Sequence, residues 1–161
     1  MRIHALRLLA LGFFCGWLSS AYAAQPDHLK LYTTQGDFDT VKRDVVIAIT
    51  GAGLVIDHTS HIGAMLDRTG KDLGTPKQVY GKAEALLFCS AAVSRRTMEA
   101  DPSNIVFCPY VIVIYTLPRD AKTVYVGYRM PQPVGSESSK TSLREVESLL
   151  DGIVKEALYI K

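Results

Sequence analysis

The sequence is short of the residues and patterns that mark out a chemistry. It holds three cysteines, four histidines and one tryptophan in 161 residues. It has no Cys-x-x-Cys, no Cys-x-x-Cys-His and no Gly-x-Ser-x-Gly. Their absence removes, in turn, a thioredoxin-type redox pair, covalent c-type haem and a nucleophile elbow. A long apolar run is missing too. The stretch from Leu8 to Leu18 covers 11 residues, too few to cross a hydrocarbon core of roughly 30 Å. The sequence also shows no internal repeat and no Lys/Arg stripe.

What stands at the start is an export signal. Arg2 and Arg7 precede the apolar run with no acid among them, and Ser19, Ser20 and Ala21-Tyr22-Ala23 follow. These are the n-region, h-region and A-x-A site of a cleavable secretory signal, with cleavage expected after Ala23 and a periplasmic product. Cys15 does not suit a lipoprotein site, because Phe13 and Phe14 precede it where small residues are needed. Losing Arg2 and Arg7 takes the formal charge from +2 to zero. A neutral chain has no footprint for phosphate backbones, so nucleic acid is not expected as a partner. The remaining 138 residues are enough for one core,.

The expected organisation is residues 24–35 as a leader with a short strand, then one α+β domain over 36–161. Leu29 to Thr33 alternates as a strand does. Asp37 caps a helix carrying Phe38, Val41, Val45, Ala48 and Ile49 at helical spacing, stopped by Gly51 and Gly53. Leu54 to Asp57 is β-like, and Ile62 to Leu66 starts a short helix. A buried strand follows over Lys82 to Cys89. Ser90 caps the helix Ala91 to Ala100, which Asp101-Pro102 breaks. Val111 to Thr116 and Thr123 to Tyr128 form a hairpin. Ser142-x-x-Glu145 reads as a capping box opening the last helix, with Leu143, Val146, Leu150, Ile153, Ala157 and Leu158 on one stripe.

Three stretches carry a family resemblance: the helix end running into Gly53-Leu54-Val55-Ile56-Asp57, Leu87-Phe88-Cys89-Ser90, and Phe107-Cys108-Pro109-Tyr110 with the β-run behind it. Over residues 36 to 131 the chain resembles the bacterial and archaeal family called domain of unknown function 302. That resemblance implies a single antiparallel-dominated sheet packed by helices, in a TATA-binding-protein-like β-α-β-sheet-α arrangement, and homodimers. Where many members carry Asn-Pro, this chain has Ser90-Ala91, and it adds Cys89 and Cys108.

Cys89 and Cys108 are an even pair in an oxidising compartment, which fits a disulfide. Two thiolates on a soft metal and free redox-active thiols are the alternatives. His58, His61 and Met65 are the candidate metal or ligand residues, with Met130 as a further soft donor. On a helix the first three share a stripe suited to copper or haem iron, whereas on a strand His58 and His61 point apart. The bland reading makes them surface histidines beside methionines that fill core gaps. His28, fifth in the mature chain, is misplaced for an amino-terminal copper motif.

No residue set identifies an enzyme. Ser90 is explained as a cap, Arg95-Arg96 as a solvated face, and Tyr110, Tyr115, Tyr125 and Tyr128 as sheet packing. The expected function is therefore an exported non-catalytic binding domain for a small ligand or a transition-metal centre, haem or copper. The alternative is a disulfide-stabilised structural protein docking on a periplasmic redox complex.

Overall fold

Leucine and tyrosine alternate with polar residues from Leu29, and there the computed structural model, which describes residues 28–161, forms its first strand, β1 (Leu29–Gln35). The export signal and cleavage site expected over residues 1–23 lie outside the described residues. Helix α1 (Phe38–Gly51) starts where Asp37 accepts a hydrogen bond from Thr40 N at 3.0 Å, which satisfies a free amide of the first turn,. It buries Phe38, Val41, Val45, Ala48 and Ile49, the five residues expected from the spacing. Gly53 then takes φ 76°, a left-handed exit that glycine adopts without steric penalty,.

The chain continues as β2 (Val55–Ser60), α2 (Ile62–Asp72), β3 (Ala83–Cys89) and α3 (Ala91–Ala100), capped by Ser90 through Val93 N. A 3-10 turn (Pro102–Phe107) leads to β4 (Tyr110–Leu117), β5 (Asp120–Arg129) and α4 (Glu137–Ala157). The strands form one open sheet in the order β1-β5-β4-β3-β2, every neighbouring pair antiparallel. The fold class is α+β, as expected.

The period of two decides which side chains meet the helices. Leu86 and Phe88, Ile112 and Ile114, and Val124, Val126 and Tyr128 project from β3, β4 and β5 into one core with Val45, Ile49, Val146 and Val154. Each such side chain, removed fully from water, stabilises the fold by about 1.5–3 kcal/mol before entropy is counted. Helices α1 and α4 pack against each other on this face, with α3 beside α4.

Several boundaries differ from expectation. Helix α4 begins at Glu137, capped by Ser136 through Ser139 N at 3.2 Å, so Ser142 is interior and is not the cap. Ser142 Oγ instead donates to Ser139 O at 2.8 Å, and Glu145 turns to Arg96 on α3. The extra turn is fixed by a buried polar contact: Asn104 Nδ2 donates to Thr97 O at 3.0 Å and to Ser139 Oγ at 2.9 Å. That contact also holds the 3-10 turn, which has no apolar period to announce it. Strand β2, in turn, runs on to Ser60 past a register shift between Ile56 and His58.

Gly127 marks a close approach of β1 to β5. A Cβ there would stand 2.5 Å from Lys30 O and 2.8 Å from Leu31 Cδ1, and the first of these is backbone that cannot swing aside. Gly127→Ala is therefore expected to lower stability by about 2 kcal/mol, read from the midpoint of urea unfolding. An unchanged midpoint would refute the close approach.

Candidate functional site

Among the described residues, the face of the sheet opposite the main core is only partly covered. Helix α2 meets it at β3, where Gly63 packs against the backbone of Ala83. Beyond α2, Leu87, Val111, Val113, Tyr115 and Tyr125 remain half-exposed. The register sets them in rows across the strands. One row runs through Leu31, Gly127, Val113 and Ala85, and the next through Thr33, Tyr125, Tyr115 and Ala83. Tyr115 and Tyr125 stack at 4.7 Å with planes 4° apart, and Tyr80 meets Tyr115 edge-on at 5.3 Å. Tyr110 and Tyr128 lie in the core, so the expected sheet packing of the four tyrosines is divided between the two faces.

At the end of this face, where β4 begins and β5 ends, a cleft of about 260 Å³ opens between Phe107, Pro109, Tyr110, Val111, Val113, Arg129, Pro131 and Leu150. Apart from Arg129 and the Tyr110 hydroxyl, these side chains are apolar. Arg129 follows the core-facing Tyr128, so the strand period directs it to the opposite face,. Of the residues that β1, β3, β4 and β5 place on that face, it is the one lysine or arginine. Arg129 takes part in none of the ion pairs formed among the described residues. A guanidinium beside apolar walls offers a planar fork of donors, the geometry that receives a carboxylate or phosphate in two parallel hydrogen bonds.

Cys108 stands in the chain between two residues of the cleft, Phe107 and Pro109. Cys89 ends β3, Cys108 follows the 3-10 turn, and their sulfurs stand 2.17 Å apart, at disulfide distance. The pair ties the end of β3 to the start of β4 around helix α3. Cys108 is joined to Pro109 of the cleft by a cis peptide bond. Behind it, Ser94 Oγ lies 3.8 Å from Cys108 Sγ and 3.0 Å from the Tyr110 hydroxyl. Burial pushes the Tyr110 phenol above its ordinary range, so it stays a neutral hydrogen-bonding group.

The four candidate ligands are not gathered. His58 lies on β2 opposite Leu87, on the less covered face, whereas His61 sits at the start of α2. His61 Nδ1 is 3.4 Å from Glu84 Oε1. Glu84 alternates to the other face from Leu87, and Lys42 on α1 holds its second oxygen at 2.5 Å,. The two imidazoles are thus turned to opposite faces, although His61 lies past the end of β2, at the N-terminal cap of α2. Met65 is one helical turn beyond His61 and 44% exposed. Met130, past the end of β5, packs against the core cluster. Among the described residues no three His, Cys, Asp or Glu side chains are grouped to hold a metal.

A second polar cluster was not anticipated from the sequence. Tyr128, 1% exposed, places its hydroxyl 2.9 Å from Glu147 Oε1 and 3.1 Å from Asp151 Oδ1, and Tyr32 also donates to Asp151. Lys155 pairs with the other Asp151 oxygen at 2.6 Å. Burial, then the neighbouring carboxylates, raise both phenols well above the ordinary tyrosine range. Burial alone would raise Asp151, but hydrogen bonds from Lys155, Tyr32 and Tyr128 bring it below the usual carboxylate range. The signal lay in the alternation of β5 and the i, i+4 acids of α4, which share a helix face.

A family model described as domain of unknown function DUF302 matches residues 30–157. Among curated proteins none matches. Among solved structures, the chain is similar to the crystal structure of an uncharacterized conserved protein DUF302 from Bacillus stearothermophilus. The two are 12% identical, with 82% of this chain and 99% of that one covered and a TM-score of 0.68.

Proposed function

The chain belongs to the DUF302 family, and from that premise we propose that it is an exported, non-catalytic binding domain whose small ligand occupies the cleft beside Cys108-Pro109. The carrying observation is the cleft itself: apolar walls and one unpaired arginine, on the sheet face that the helices leave half-exposed. Ligand sites commonly combine a mostly apolar lining with a few placed polar groups, and their volumes run from about 300 Å³ upward. At about 260 Å³ the cleft suits a small molecule better than a haem. A copper or haem iron held jointly by His58 and His61 is disfavoured, because their imidazoles turn to opposite faces. An export signal at residues 1–23 would deliver the chain to the periplasm, where cysteines at disulfide distance are expected to be oxidised,.

The test is native mass spectrometry of protein purified gently from the periplasm. The expected result is a chain beginning at Ala24, two hydrogens lighter for one disulfide, carrying an adduct that denaturation releases. A chain free of adducts, neither stabilised nor shifted by any member of a small-metabolite library, would overturn the binding reading. The competing reading, a protein that docks on a redox complex, draws on the exposed Val55 and the Tyr115/Tyr125 stack. It would be favoured by co-migration of the intact protein with a larger complex.

A further inference from the structure

The cleft also carries information about the class of its ligand. We infer that it takes a small molecule with an apolar body and one terminal carboxylate, the carboxylate held by Arg129. This inference rests on the binding reading above. Its own observations are the position and the isolation of that guanidinium. Arg129 is the one lysine or arginine that β1, β3, β4 and β5 place on this face, and the other side chains around the cleft are apolar except Tyr110, whose hydroxyl is already bonded to Ser94 at 3.0 Å. Arg95 is paired with Glu99 at 2.7 Å and Arg96 with Glu145, whereas Arg43, Arg68, Arg119, Arg129 and Arg144 form no ion pair among the described residues, and of these Arg129 is the one that lines this cleft. No carboxylate forms an ion pair with Arg129 among the described residues, so its donors are open to an incoming anion.

The remainder of the lining limits the rest of the ligand. Phe107, Pro109, Val111, Val113 and Pro131 offer no side-chain hydrogen bond. A polyhydroxylated or zwitterionic body would lose its water there without replacement, which is costly for each unpaired polar group. A second negative charge would meet no second cation in the cleft, so a dianion gains little over a monoanion. The volume of about 260 Å³ restricts the body to a short chain or a single ring.

The experiment uses the mature chain with its cysteines oxidised, observed by NMR through the methyl groups of Val111 and Val113, at pH 7 and low salt. The probes are hexanoate and its neutral counterpart hexanamide. Hexanoate is expected to shift both valines and to bind about tenfold or more tightly than hexanamide, the effect of one charge-assisted bidentate contact. Arg129→Gln is expected to bring hexanoate down to the hexanamide level. Because Arg129 is exposed and unpaired, the variant keeps the fold, checked by an unchanged unfolding midpoint. Arg119→Gln, on the hairpin away from the cleft, is expected to leave hexanoate binding unaltered.

Equal binding of the two probes would overturn the carboxylate assignment while leaving the binding reading intact. So would a hexanoate preference that survives Arg129→Gln, since the anion would then be held elsewhere. If neither probe moved Val111 or Val113, the inference would fail, while the binding reading would still stand or fall on the adduct and metabolite-library test.

Discussion

Replacing Cys89 and Cys108 together by alanine is expected to lower the unfolding free energy by about 3 kcal/mol, the chain-entropy value for a loop of this length. The two residues are 19 apart, and their link closes α3 and the 3-10 turn into one loop. In the unfolded chain the link removes conformations; in the folded chain it restrains two strand ends that the sheet register already places near each other. Oxidised wild type, reduced wild type and the double variant should be compared by urea unfolding. The reduced protein and the double variant are expected to unfold at nearly the same midpoint, both below the oxidised form. Identical midpoints for all three, with two titratable thiols before reduction, would show that the pair is not linked. The effect also bears on function, because Cys108 leads directly into Pro109, a wall of the proposed ligand cleft. Loss of the link should therefore broaden the methyl signals of Val111 as well as lower stability.

Much of the architecture could be read from periodicity, and the exceptions have physical reasons. The five buried residues of α1 and the stripe along α4 sit at helical spacing, and the hairpin strands alternate around Leu117 to Ala121. The start of α4 was hidden because its first turn is nearly all serine and polar, and what fixes it is Asn104, distant in sequence. The length of β2 was hidden because the register shift near Asp57 breaks its alternation just before His58. Spacing alone could not decide whether His58 and His61 shared a surface: on a helix three residues apart means one face, on a strand opposite faces. The cleft was harder still. Arg129 is a single arginine at the end of a strand, and its significance comes from the apolar residues brought beside it by the 3-10 turn and by Pro131. The cysteines were the one functional feature visible by count alone.

Tyr128→Phe is expected to cost about 2–3 kcal/mol at neutral pH, although it removes a single oxygen, because that oxygen serves buried charge. The phenol carries one proton and faces two carboxylates, Glu147 at 2.9 Å and Asp151 at 3.1 Å. Asp151 retains Lys155 and Tyr32 after the change. Half-buried Glu147 receives no other side-chain hydrogen bond from the described residues, so it loses its one protein partner. The same cluster sets the shape of the pH profile. Both phenols have folded pKa values raised above the unfolded tyrosine value of about 10,. Their contribution is therefore fully present below about pH 10 and is lost as pH rises further toward the folded values. Asp151 runs the opposite way. Its folded pKa is depressed, so its contribution is complete above the unfolded value near 4 and is lost as pH falls through the lower folded value,. Urea unfolding between pH 3 and pH 11 should show a plateau with falls at both ends. In Tyr128→Phe the plateau is expected to drop and the alkaline fall to shrink, since one of the two raised phenols is gone. The acid fall should weaken only in part, because Lys155 and Tyr32 still hold Asp151. A variant as stable as wild type at pH 7, with an unaltered alkaline limb, would mean that the Tyr128 hydroxyl is not shared with these carboxylates in solution.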